Sequence, residues 1–183
     1  MTAEIIEAFL VALESNRHVA EIGGNAPNVF FKHADGATAP LTETDRRMIV
    51  WLRTELNSTK AERSGTAAWA LTAFVNRDPS LREPLAAYLQ NGAFFYRYVV
   101  LREMADNDPS MRDKYVDVLL SGLGSSVDND QSNALYGLAN LKNAPDDLRW
   151  RLEARRQVST DPGEISRIDQ ALEECRKNAA DQP

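Results

Sequence analysis

Three segments of this chain repeat one another, and that repetition restricts the fold more than any other feature. They are Asp78–Leu89 (DPSLREPLAAYL), Asp108–Leu119 (DPSMRDKYVDVL) and Pro145–Arg156 (PDDLRWRLEARR). Aligned on Arg82, Arg112 and Arg149, they carry Leu81, Met111 and Leu148 one residue earlier. Three residues later stand Leu85, Tyr115 and Leu152. Eleven residues earlier stand Leu71, Leu101 and Leu138, and eight earlier Phe74, Met104 and Leu141. The spacings are 30 and 37 residues. Such a period, with two helices in each, predicts stacked helical hairpins, because one hairpin cannot bury its apolar side alone. A further step of 37 residues back places Met48 and Leu52 at core positions and Thr42 at the cap. Asp45 stands there in place of the Arg.

The helix signals agree. Thr2–Ser15 is expected as a helix with Ile5, Ile6, Phe9, Leu10 and Leu13 on one side. From Leu41 the pattern is helical to the end. Thr42 and Asp45 resemble a cap for a helix through Leu56, and a second helix is expected from about Lys60 to Asn76. Further starts are expected at Asp78-Pro79, Gly92, Asp108-Pro109, Asn129, Pro145 and Gly163. Asp before Pro suits a helix start: Asp accepts orphan amides, and Pro has no amide to lose. Between them, residues 16–40 hold Gly23, Gly24, Pro27, Gly36 and Pro40. That density of breakers predicts an irregular segment. Within it Asn28–Lys32 (NVFFK) has strand-like residues, so a short hairpin or an ordered loop is expected.

The Asp-Pro start, the Arg four positions on and the apolar helix resemble HEAT-type repeats over roughly Thr42–Lys177. Tetratricopeptide-like or irregular hairpin arrays stay open, although the Trp-Gly-Tyr spacing of the former is missing. The expected fold is all-α: a right-handed α-solenoid of about four stacked hairpins, with an N-terminal helix and an irregular loop. The expected division is a capping segment over 1–40, a repeat domain over 41–178 and a polar tail over 179–183.

Composition narrows the function. The net charge of −6 opposes nucleic-acid phosphates and anionic lipid. Leu41–Asn76 has five basic against four acidic residues, and Ser121–Thr160 balances at five each. A basic DNA-facing groove is therefore not indicated. No stretch approaches the roughly 20 apolar residues of a membrane span. Acids Glu4 and Glu7 precede the short apolar run Ala8–Leu13, unlike a signal peptide. The single cysteine, Cys175, permits no intrachain disulfide and suits the cytoplasm.

Motifs for chemistry are missing. His18 and His33 are the only histidines and form no zinc-binding spacing; no metal or cofactor is expected. Asp128-Asn129-Asp130 starts like a calcium loop, but Asn133 stands where Gly is needed and Ala139 where Glu is needed. Gly122–Ser126 reads as a turn between helices, without the Lys of a P-loop. No GxSxG elbow occurs.

Recognition residues are better represented. Arg149, Trp150, Arg151, Arg155 and Arg156 crowd one helix. Tyr96 and Arg97 lie in the most apolar one, Gly92–Glu103, and both residue types are favoured at interface hot spots. Phe30 and Phe31 would anchor the irregular segment. The sequence points to a non-enzymatic protein–protein interaction module of adaptor, regulator or toxin-neutralising type. Its expected contacts are Phe30, Phe31, Tyr96, Arg97, Arg149, Trp150 and Arg156. HEAT-like folds include bilin lyases and alkylated-base DNA glycosylases, so the resemblance allows an enzyme as the alternative. A nucleic-acid-binding protein using the Arg149–Arg156 patch is the other alternative.

Overall fold

A computed structural model describes residues 3–15, 25–141 and 147–180. Among them are ten α-helices and no strand. The helices are α1 (Ala3–Glu14), α2 (Ala26–Ala34), α3 (Glu43–Leu56), α4 (Ala61–Thr72), α5 (Arg82–Asn91), α6 (Phe94–Asn107), α7 (Arg112–Leu123), α8 (Asp128–Ala139), α9 (Leu148–Val158) and α10 (Pro162–Ala180). They fall into two units, Met1–Asn107 and Asp108–Pro183.

The all-helical expectation holds, and the expected helix starts lie close to the observed ones. The start expected at Pro145 falls outside the described residues, as do residues 16–24 and the 181–183 end of the polar tail. Thr42 and Asp45 form a full capping box at the head of α3. The Thr42 hydroxyl accepts from the Asp45 amide, and the Asp45 carboxylate accepts from the Thr42 amide at 2.8 Å. The two Asp-Pro-Ser sites are twins. Asp78 accepts from the Ser80 amide at 3.1 Å and its hydroxyl at 2.6 Å, and Asp108 accepts from Ser110 at 3.0 and 2.7 Å. Each opens a short 3₁₀ turn, and the α-helix follows at Arg82 or Arg112.

One expectation is corrected. Residues 26–34 are helical, neither hairpin nor loop. Pro27 lies in the first turn, where a helix needs no amide from it. Ala26, Phe30 and Ala34 recur at four-residue spacing and are all buried. That packing overrides the strand preference of Val29, Phe30 and Phe31. The break comes after the helix, where Gly36 takes a φ of 71°.

In the first unit α3 pairs with α4 and α5 with α6, while α4 also packs on α2 and α6, and α1 on α3. Close approach of α4 and α6 depends on Gly65, since a Cβ there would overlap the Tyr96 ring. Met48, Leu52, Leu71, Phe74, Leu81, Leu85 and Leu101 are buried in this unit. In the second unit α7 pairs with α8 and α9 with α10, and α8 packs on α10. Its core includes Tyr115, Leu119, Leu123, Leu138, Leu148, Leu152 and Ile168.

Candidate functional site

The turn that ends α4 and the loop that follows α2 border a partly open cavity of about 370 Å³. Asp35, Gly36, Ala37 and Thr38 line it from the loop, and Thr72, Ala73, Asn76 and Arg77 from the turn. Beneath it lies a charged cluster. The Arg77 side chain is only 7% exposed and the Asp45 side chain 3%, with Arg77 Nη1 donating to Asp45 Oδ2 at 3.2 Å. The guanidinium also lies over the Phe74 ring, 5.3 Å from its centre. His33 Nε2 stands 3.4 Å from the other Asp45 oxygen.

Burial tends to raise the Asp45 carboxyl pKa, because it penalises the charged form. Hydrogen bonds from the Thr42 amide and hydroxyl and the charge of Arg77 more than offset this, so the net shift is downward. Asp45 is thus both the cap of α3 and the counter-ion of a buried arginine. Arg77 Nε and Nη2 are buried and meet no acceptor among the described residues. Burial without acceptors is costly for cationic donors, so this edge is a notable feature of the first unit.

A second buried polar group is built from α5 and α6. The Tyr88 hydroxyl is buried without a partner among the described residues, and burial pushes its pKa up to about 12. Tyr96 and Arg97, both expected as partner contacts, are half-buried beside it. Arg97 Nε is buried and also lacks an acceptor among the described residues. The Tyr96 ring rests on Gly65, and burial raises its pKa too.

Phe30 was expected to face a partner, but it is fully buried. Its ring makes edge contacts with Phe9 at 6.1 Å and Trp51 at 5.7 Å. It belongs to the core and is out of a partner's reach. Phe31 is half-buried and stacks on Trp69 at 4.2 Å between ring centres.

In the second unit, each of the four arginines of α9 is held by an acid. Arg149 donates to Glu153 at 2.9 Å, Arg151 reaches Asp113 and Asp117 of α7, Arg155 binds Glu164 at 2.6 Å, and Arg156 binds Asp169 at 2.6 Å. Glu164 is buried and also accepts from the Ser159 hydroxyl at 2.6 Å. Burial raises its pKa, but the bonds from Ser159 and Arg155 outweigh it and leave the carboxyl low. The expected binding cluster thus divides. Arg151 and Arg155 pin α9 to its neighbours, Arg149 and Arg156 are exposed but paired, and Trp150 stands out at 68% exposed.

Comparison of the chain with protein-family models, curated proteins and solved structures finds no match. Among the described residues no group of three or more His, Cys, Asp and Glu side chains could hold a metal ion. No described helix is long and apolar enough to cross a membrane.

Sequence reasoning missed the Asp45–Arg77–His33 cluster. Its members lie 12 and 32 residues apart. The one available signal was that an acid, Asp45, replaces the repeat Arg at the matching position.

Proposed function

We propose that the chain is a non-enzymatic protein-binding module in which helical hairpins stack as a right-handed, HEAT-like solenoid. The stacking has support within each unit, where alternate helices touch: α2 on α4, α4 on α6, and α8 on α10. Solenoids of this kind offer extended surfaces to partners.

The observation that carries the binding reading is Trp150. A tryptophan with two thirds of its surface in water is uncommon in an isolated domain. It is also the residue type most enriched at the energetic centre of interfaces. It sits on α9 opposite Leu148 and Leu152, which are buried. The arginines around it are neutralised by acids of the same unit, so they orient the helix and frame the indole. A phosphate backbone would have to displace those acids, which disfavours nucleic acid at this patch. The lone cysteine suits a reducing compartment, and we place the protein in the cytoplasm.

A photo-crosslinking residue at position 150, in the cells that make the protein, tests this. The expected result is one discrete protein adduct, missing when the probe stands at Val158, which is 79% exposed on the same helix. Equal adducts from both positions, or crosslinks only to RNA or DNA, would sink the reading.

A further inference from the structure

We infer, given Trp150 as a protein contact, that the partner presents a basic segment to α9, with an arginine laid on the Trp150 indole and bonded to the Asp147 carboxylate. Four arginines share the helix with this indole, yet among the described residues none lies over its ring. Arg149, Arg151, Arg155 and Arg156 are each turned to an acid, so the ring faces water uncovered. An open indole face is the best aromatic site for a cation. Asp147 stands three residues before Trp150 and Glu153 three after. Residues at that spacing are neighbours on a helix, with Cβ atoms about 5–6 Å apart. Glu153 is engaged by Arg149. Asp147 is exposed, and its side chain makes no cap bond to α9 and no ion pair among the described residues.

Charge selects the partner. Each residue turns a helix by about 100°, so Asp147 and Arg151 lie on the same flank of Trp150. Arg151 reaches across that flank to Asp113 and Asp117 of α7. Two carboxylates thus share one arginine, which leaves a negative charge over. Their side chains are 76% and 70% exposed against 15% for Arg151, so the flank shows water its acids and hides its cation. Asp147 adds a second unbalanced charge. The unit Asp108–Pro183 holds 14 acidic and 10 basic residues, so no surplus of cations in it cancels them. Complementarity then calls for cations on the partner. Arginine fits better than lysine, because its planar guanidinium stacks on an indole and still donates in its own plane to a carboxylate. A second cation of the same segment meets Asp113 and Asp117.

The test is an NMR titration of the ¹⁵N-labelled full chain, read at the indole Nε1–H signals of Trp51, Trp69 and Trp150. The Trp150 signal is assigned by its loss in Trp150→Phe. The probes are end-blocked peptides of alternating glycine and arginine, the same with citrulline for arginine, and the same with glutamate. The arginine peptide is expected to shift the Trp150 signal saturably, with a Kd on the order of 1 mM, while Trp51 and Trp69 stay still. Citrulline keeps the shape without the charge and should bind about tenfold more weakly. Asp147→Asn touches no bond of the fold among the described residues and should weaken the arginine peptide roughly twofold to fivefold. An unmoved Trp150 signal, equal binding of the citrulline peptide, a preference for the glutamate peptide, or unchanged affinity in Asp147→Asn would each overturn the assignment. The crosslink at position 150 separates the two failures. A discrete protein adduct there without an arginine response removes the basic partner alone, and the absence of any adduct removes the binding reading and the basic partner with it.

Discussion

Asp45→Ala is expected to destabilise the Met1–Asn107 unit by about 3–5 kcal/mol, the usual cost of stranding one member of a buried ion pair. Both members are nearly inaccessible, so solvent screening does little to soften the loss. The substitution removes two things. One is the counter-charge to Arg77, and the other is the capping box with Thr42, worth about 1 kcal/mol. A double variant separates them. Adding Arg77→Met removes the stranded cation and should recover most of the stability, leaving a deficit of about the cap alone. Chemical denaturation followed by tryptophan fluorescence in a Trp150→Phe background measures the first unit selectively, because Trp51 and Trp69 both lie in it. A loss under about 1 kcal/mol, or strictly additive single and double variants, would mean that the pair is not coupled.

Asp45 also sets an acid limb. Its folded carboxyl pKa is lowered, so folding favours the charged form. The stability this provides is fully present above the unfolded value of about 3.9 and is lost as pH falls through the lower folded value. Asp45→Ala should therefore flatten the stability curve in that acid range and leave its shape near neutrality unchanged.

The aligned positions Leu71, Phe74, Leu81, Leu85, Leu101, Met104, Tyr115, Leu138, Leu148 and Leu152 are all buried, and so are Met48 and Leu52; only Met111 and Leu141 are half-buried. Apolar periodicity has this reach because burial is decided by helix phase, which is local. The caps at Thr42, Asp78 and Asp108 were legible for the same reason. Contacts between elements were not. The repeat alignment singles out Arg149 on its helix. It bonds within its own helix to Glu153, and Arg151 makes the bridge to α7 instead. The sequence carries the period but not which face of α9 meets α7. The Arg77 cluster was hidden more deeply, since three distant residues become neighbours only when α2, α3 and the end of α4 meet.

Phe30→Ala tests the part of the chain where local propensity misled. Its ring is fully buried and sits between Phe9 of α1 and Trp51 of α3, so one side chain ties three helices together. Truncation loses the buried ring area and leaves a cavity that rigid helices cannot fully close. The expected cost is about 3–5 kcal/mol. For a chain of this size that corresponds to a fall in Tm of roughly 6–20 °C. Phe31→Ala is the matched control. Phe31 is half-buried and, among the described residues, its ring stacks on Trp69 only, so its loss should be clearly smaller. The order of the two variants is diagnostic of backbone conformation. Were residues 28–32 extended, Phe30 and Phe31 would point to opposite faces, and nothing would place Phe30 in register with Ala26 and Ala34. In the helix, 26, 30 and 34 share the buried face. Near-wild-type stability for Phe30→Ala with a larger loss for Phe31→Ala would reverse that facing and refute the helical register of α2. The predicted order, with a shift in Trp51 emission specific to Phe30→Ala, would place α2 against α1 and α3, immediately before the loop that forms one wall of the Arg77 cavity.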